Sequence, residues 1–168
     1  MVSLASRAVL VLLLVAGCVG AAGPKDKDKD KKDKPSFEIS ADEQELIDLV
    51  NEARQKQKLA PVKPNKILFE AARAHAANMA RQKKMEHVLD GKGPAERLRA
   101  AGYVFTNCAE NIAAGQGQTL ADVFKGWMKS PAHRANILGK PFRDIGIGIA
   151  PGSDNQTYYT QVFGKVWK

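Results

Sequence analysis

Two strand-like segments separated by a short turn, near the end of the chain, constrain its fold most strongly. In residues 145–149 isoleucine alternates with glycine, which is the period-2 pattern of a β-strand with one side left open for close packing. Residues 157–167 have the composition of a second, longer strand, and residues 152–156 are typical of a turn. The pattern therefore predicts a β-hairpin.

Two helices are predicted in the first half of the folded region. Ser40 and Glu43 form an S-x-x-E capping box ahead of a helical apolar run that is expected to end near Gln57. After a proline-containing break at 59–64, Asn65 is expected to cap a second, alanine-rich helix. The apolar stripe of that helix comprises Leu68, Ala72, His75 and Met79.

The middle of the chain mixes short helices with a strand. A helix is predicted at 95–101 behind Pro94, followed by a short strand at 103–105. Gly115 marks a loop, and Thr119 is expected to cap a further helix. Because helices and strands do not alternate regularly along the chain, the order predicts an α+β fold with an antiparallel sheet covered by helices.

The first 23 residues have the pattern of a secretory signal. A single cation, Arg7, precedes an uncharged apolar run at 8–16, which is far shorter than the roughly 20 residues of a membrane-spanning helix. The four residues ending at Cys18 match the bacterial lipobox, so lipid is predicted on Cys18 and the protein is expected to be a cell-envelope lipoprotein, periplasmic or extracellular. Plain cleavage near Ala21, with Cys18 discarded, is the alternative.

Residues 24–40 are predicted to be a charged, disordered tether, and 41–168 a single domain. The tether contains the repeat KDKDKDKKDK at 25–34, which has no apolar group whose burial would offset ordering. Of the formal net charge of +8, Arg7 contributes one and this repeat two, which leaves +5 for residues 35–168. A mildly basic domain suits an anionic surface, whereas nucleic-acid binding needs a concentrated basic stripe. We expect a monomer and no nucleic-acid partner.

Four short motifs resemble the CAP superfamily of cysteine-rich secretory, antigen 5 and pathogenesis-related 1 proteins, in its bacterial secreted branch. They are GWMKSPAHRANIL at 126–138, AENIAAG at 109–115, KMEHV around His87, and YYTQVFG at 158–164. The resemblance implies a three-layer α-β-α sandwich over about 41–168. The family's eukaryotic members have disulfides, but here Cys108 is the single cysteine left after Cys18, and it is predicted to be a small buried hydrophobe.

The resemblance also implies a polar cleft. Many members have a tetrad of two His and two Glu, of which His87 and Glu110 match the first of each. The second Glu is replaced by Ser130, and Tyr158 stands at the position of the second His. His133 is therefore a candidate third cleft residue.

Further residues are assigned to this cleft. Glu110 has apolar neighbours, so it is expected either at an exposed edge or paired with His87 or Arg134. Arg134 is expected to pair with a carboxylate and hold its loop. His75, on an apolar stripe, is expected to be a satisfied core residue. Lining and rim positions are predicted at Asn111, Ser130, Tyr158 and Gln161.

A site for zinc or another divalent cation requires His87, His133 and Glu110 to converge, because zinc needs three or four N, S or O ligands. No tight motif such as H-E-x-x-H supports such a site, and no cofactor is certain. Phosphate-binding glycine motifs of nucleotide enzymes are also lacking: the alternating glycines of 145–149 open no helix.

Three functions remain open. The first is an envelope binding module for lipid, peptide or cell-wall glycan, which the two departures from the tetrad favour over an enzyme. The second is a hydrolase, either a peptidase or a cell-wall enzyme, with His87 as general base and Glu110 as its partner. For this function a pairing of Ser130 with His133 can also be drawn, although the sequence lacks the G-x-S-x-G elbow of a serine nucleophile. The third is a purely structural cluster.

Overall fold

The computed structural model describes residues 37–167. The predicted signal sequence, the lipobox at Cys18 and most of the predicted tether lie outside these described residues. Among the described residues, no helix combines the length and the apolar character needed to span a bilayer.

The compact unit that contains the described residues includes Phe37, four residues before the predicted boundary at 41. Phe37 and Ile39 are half-buried against the core. The Phe37 ring meets the Phe69 ring edge-on with centroids 5.1 Å apart, and the guanidinium of Arg73 lies 5.7 Å from the Phe37 centroid. These contacts extend the domain into the segment predicted to be tether.

Within residues 37–167, five helices surround the sheet: α1 Ala41–Lys56, α2 Lys66–Gln82, α3 Pro94–Ala100, α4 Leu120–Lys129 and α5 Pro131–Ile137. The predicted caps are confirmed. Ser40 forms the capping box of α1, Asn65 accepts from the first turn of α2, and Thr119 caps α4. Pro131 separates α4 from α5 because a residue before proline avoids the helical conformation, and Ser130 is extended at φ −81°, ψ 121°.

The sheet contains β1 Lys63–Pro64, β2 Phe105–Gly115, β3 Asp144–Pro151 and β4 Thr157–Val166, in the order β1-β3-β4-β2. The predicted hairpin is β3–β4, and β2 is also antiparallel to β4, so the antiparallel prediction is confirmed for the three long strands. The two-residue β1, in the segment interpreted as a break, adds a parallel edge to β3.

The position of β2 corrects the prediction of a strand at 103–105. The strand begins at Phe105 and runs to Gly115, through the AENIAAG motif at 109–115. Three successive residues, Glu110, Asn111 and Ile112, are buried, because helices cover both faces of the sheet here. The period-2 alternation that identifies a half-exposed strand is therefore missing from the sequence.

Helices cover both faces of the sheet, which confirms the three-layer α-β-α sandwich. The apolar cluster on one side includes α1, α4, Ile145, Ile147 and Phe163. On the other face α2 approaches β3 so closely that a Cβ on Gly146 or Gly148 would lie 2.2 or 2.3 Å from backbone atoms of α2. The glycine alternation thus serves close helix–sheet packing, as predicted.

A buried arginine fixes the segment that follows α5. Arg54 of α1 is 0% exposed, and burial lowers the pKa of its guanidinium. Four backbone carbonyls replace water around it, those of Ala60, Ile137, Gly139 and Phe142. No sequence pattern indicated this role. The bonds tie α1 to the C-terminal end of α5 and thereby help to position the helix that carries His133.

Candidate functional site

Three of the predicted cleft residues lie on β2, an edge strand of the sheet, or in segments that contact it. His87 lies in the segment between α2 and α3, Glu110 in the middle of β2, and His133 in the first turns of α5. Glu110 bonds the His87 ring, and the next residue, Asn111, bonds the His133 carbonyl, so the two histidine-bearing segments contact adjacent residues of β2. We refer to the space flanked by these two residues as the cleft.

Glu110 is the buried centre of a charged network. Its side chain is 1% exposed, with Oε2 2.5 Å from Arg97 Nη2 and Oε1 2.9 Å from His87 Nδ1. Pairing with His87 is therefore confirmed, whereas Arg134 takes no part. The guanidinium compensates a charge that burial would otherwise penalise.

Arg97 also holds the segment that presents His87. Its Nη1 donates to the carbonyl of His87 at 2.9 Å and to that of Lys92 at 2.8 Å. Between these carbonyls the chain reverses through Asp90 and Gly91, both at positive φ (53° and 71°), as Asp-Gly turns commonly do. The Asp-Gly pair signals the turn in the sequence, but nothing marks Arg97 among the many cations of the chain.

His75 joins the same network from α2. It is 1% exposed, and its Nε2 lies 3.8 Å from Glu110 Oε1, beyond hydrogen-bond distance. Neither ring nitrogen has a hydrogen bond of acceptable geometry. The prediction that His75 is a core residue is confirmed, and the backbone of Glu86 lies close enough to act as a hydrogen-bond partner of the ring. Burial lowers the pKa of this imidazole, against an opposing effect of Glu110.

His133 lies on the other side of the edge strand. Its side chain is half-buried, and burial, together with the nearby His87, lowers its pKa. Ser130, at the junction of α4 and α5, makes no side-chain cap bond to the helix that it precedes. No hydrogen bond joins Ser130 to His133 within the part of the chain that the structure describes, so the Ser–His pairing that can be drawn from the sequence is not formed.

Asn111 is a buried anchor rather than a lining residue. It is 0% exposed; its Nδ2 donates to the carbonyl of His133 at 3.1 Å and to Gln161 Oε1 at 3.0 Å. Its Oδ1 accepts from Asn136 at 2.8 Å, and Asn136 also bonds the carbonyl of Glu110 at 3.2 Å. These amides fasten α5, and with it His133, to the edge strand. The sequence did not single out Asn136.

The rim assignments need correction. Gln161 is 0% and Tyr158 2% exposed, because β4 is a central strand covered on both faces. The Tyr158 hydroxyl donates to Asp154 at 2.7 Å, and that bond raises the tyrosine pKa.

Arg134 also departs from its predicted role. Its side chain is exposed and lines a separate cavity of about 360 Å³ between α1, α4 and α5. No carboxylate lies within ion-pair distance of its guanidinium in the described region. The buried amides, not this side chain, hold the segment.

A zinc ion does not fit the three residues as they lie. Both carboxylate oxygens of Glu110 and Nδ1 of His87 are already committed to each other or to Arg97. His87 Nε2 and the ring of His133 remain, which is fewer than the three or four ligands that zinc requires. Among the described residues no group of three His, Cys, Asp or Glu side chains is arranged so that it could hold a metal ion.

Cys108, on β2, is half-buried and unpaired. Burial raises the pKa of its thiol, with Arg99 opposing the shift. The thiol therefore stays protonated and packs with the apolar cluster beneath α2 and α3.

Comparison with known proteins identifies relatives of this domain. A family model described as the cysteine-rich secretory protein family (CAP) matches residues 47–163. The chain is 35% identical over 126 residues to the uncharacterized protein YkwD of Bacillus subtilis (strain 168), covering 74% of this chain and 48% of that protein. It is 31% identical over 126 residues to the uncharacterized membrane protein YlbC of the same strain, covering 74% of this chain and 35% of YlbC. The chain thus spans about half or less of these relatives.

Solved structures show the same fold. An outer surface protein from Borrelia burgdorferi superposes with a TM-score of 0.72 at 24% identity, covering 77% of this chain and 96% of that one. An extracellular protein containing an SCP domain, from Bacillus anthracis str. Ames, gives a TM-score of 0.64 at 26% identity, covering 76% and 44%.

Proposed function

The chain belongs to the cysteine-rich secretory protein (CAP) family, and on that premise we propose that it is an extracytoplasmic binding module of the bacterial cell envelope. Its relatives of known structure include an outer surface protein and an extracellular protein. The predicted signal sequence agrees with such a location, and lipid on Cys18 would hold the domain at a membrane.

The observation that carries the proposal is the commitment of Glu110 within a buried network. With Oε1 and Oε2 bonded to His87 and Arg97, the carboxylate is used to orient His87 rather than to contact a ligand. Because an ionised carboxylate only accepts hydrogen bonds, Nδ1 of His87 donates to Glu110, and Nε2 takes no part in this pair. The His87 side chain is 47% exposed, so this nitrogen is offered to a ligand.

The proposed ligand is peptidoglycan, which carries hydroxyl, amide and carboxylate groups. Two imidazoles, one on each side of the cleft, donate and accept hydrogen bonds to such groups. An acyl chain matches this polar cleft poorly, since covering His87 and His133 with hydrocarbon would leave their polar atoms unpaired.

Co-sedimentation with purified insoluble peptidoglycan tests the proposal. We expect the chain to bind and both His87→Ala and His133→Ala to lose at least tenfold in affinity while remaining folded. Arg134→Ala is the matched control, because Arg134 is exposed beside His133 but lines a different cavity; its binding should equal wild type. Equal binding by all three variants would reject the cleft as the ligand site.

One observation favours a hydrolase as the second candidate. A carboxylate that holds Nδ1 of a histidine and leaves Nε2 exposed is the arrangement of a general base. Incubation of peptidoglycan with the chain, followed by chromatography of soluble fragments, separates the two functions. Fragment release that disappears in His87→Ala would establish hydrolysis and contradict a pure binding role.

A further inference from the structure

A second surface feature lies at one end of the sheet, where β4 ends. A groove of about 760 Å³ is formed there by residues of all four strands and of the segments next to them. We call it the basic groove; its lining includes Lys63, Arg143, Lys165, Val166 and Trp167.

The three cations of the basic groove outnumber its single acid. Asp144 is the acid in its lining, and it accepts from the Tyr103 hydroxyl at 2.6 Å. Arg143 donates to three backbone carbonyls rather than to a carboxylate. In the described part of the chain, Lys63 and Lys165 also have no acid within ion-pair distance. The groove therefore presents three cations to whatever covers it.

Exposed apolar side chains adjoin these cations. Trp167 is 66%, Val166 42% and Val104 68% exposed. They are held together, because the Trp167 backbone N–H donates to the Val104 carbonyl at 3.1 Å. Only two other large hydrophobic side chains are exposed within residues 37–167, so the apolar surface is concentrated at this end of the sheet.

We propose that the basic groove and the adjoining Trp167 dock on the surface of an anionic phospholipid bilayer. Lys and Arg near such a surface each strengthen binding about fivefold, and tryptophan favours the boundary between headgroups and acyl chains. A soluble polyanion would match the cations but leave Trp167 and Val104 in water. A bilayer accounts for both the charge and the apolar side chains, independently of any ligand in the cleft.

Vesicle flotation of the full chain, purified without lipid modification, tests the proposal at 0.1 M salt. The probes are vesicles of phosphatidylcholine alone and vesicles with 40% phosphatidylglycerol, a composition chosen for the test. Lys63→Gln/Lys165→Gln should weaken binding to the anionic vesicles by about 25-fold. The matched control, Lys125→Gln/Lys129→Gln, removes the same charge from α4, outside the groove, and should weaken binding by less than about threefold.

Quenching of tryptophan fluorescence by brominated lipid reports insertion directly. Trp127 is 2% exposed, so quenching should come from Trp167 and disappear in Trp167→Ala. Equal loss of vesicle binding in the two lysine pairs, or equal binding to both vesicle types, would overturn the proposal. A third outcome would also overturn the proposal: the chain binds soluble poly(glycerol phosphate), Lys63→Gln/Lys165→Gln loses that binding, and bilayers do not quench Trp167. The groove would then be assigned to an anionic wall polymer.

Discussion

Replacing Arg97 by methionine should destabilise the domain strongly, although the residue lies near the surface. The Arg97 side chain is 13% exposed, and its partner Glu110 is 1% exposed at 2.5 Å. Removing one partner of a buried ion pair costs about 3–5 kcal/mol, because the remaining charge stays in a poorly solvated site. His87 still contacts Oε1, so we expect a loss of about 3 kcal/mol, at the lower end of that range.

The effects of replacing Arg97 and Glu110 on the free energy of unfolding should also be coupled. Glu110→Gln alone should cost about 1–2 kcal/mol, since it removes a charge-assisted bond and leaves Arg97 with its two backbone carbonyls. In the double variant no uncompensated carboxylate remains. The combined loss should therefore be smaller than the sum of the single losses by about 1–3 kcal/mol.

Urea unfolding, followed by the fluorescence of buried Trp127, measures these free energies. Arg99→Met is the matched control on the same helix: its pair with Glu96 is exposed, at 3.7 Å, and its loss should be below about 1 kcal/mol. Two results would show that the network does not stabilise the site. One is the same small loss of unfolding free energy in Arg97→Met and Arg99→Met; the other is additive losses for the Arg97 and Glu110 substitutions.

Three further outcomes are expected. Gly148→Ala should lower the free energy of unfolding by about 1–3 kcal/mol, because its Cβ would collide with backbone at Ala72. The control Gly126→Ala, which has open space around it, should leave the free energy of unfolding unchanged or raise it by about 0.5–1 kcal/mol. Equal losses in the two variants would contradict the close approach of α2. The free energy of unfolding should fall as the pH drops below about 6.5, by up to about 1.4 kcal/mol per pH unit. The reason is that the pKa of buried His75 is lowered in the folded state, so the unfolded state binds the proton first. If the free energy of unfolding of His75→Gln has the same pH slope, His75 is not the source. Metabolic labelling with a radioactive fatty acid should mark the wild-type chain and not Cys18→Ala, and an unlabelled wild type would leave plain signal cleavage as the outcome.

Much of the fold follows from local chemistry that a single sequence displays. The caps at Ser40, Asn65 and Thr119 define helix starts because each side chain satisfies a backbone N–H that the helix cannot. The glycine–isoleucine alternation of β3 identifies both a strand and a close approach. Where such local signals were weak, the prediction failed: β2 is covered on both faces, so its sequence lacks the alternation that would have marked it.

Local sequence signals also predict only part of the site. His87 and Glu110 were found through motifs, and their pairing is confirmed. Arg97 and Asn136 act through contacts with residues distant in the chain. No motif includes Arg97, and the motif that includes Asn136 does not show which residues it bonds. Gln161 was misplaced at the rim because its motif shows proximity to the cleft but not that β4 is central to the sheet.

Nuclear magnetic resonance titration of the imidazole signals with a soluble peptidoglycan fragment tests the central claim most directly. The account predicts concentration-dependent shifts of the His87 and His133 ring signals, while His75, which is 1% exposed, shifts less. Saturation of the protein with all three histidine signals unchanged would contradict it, because the ligand would then bind elsewhere than in the cleft.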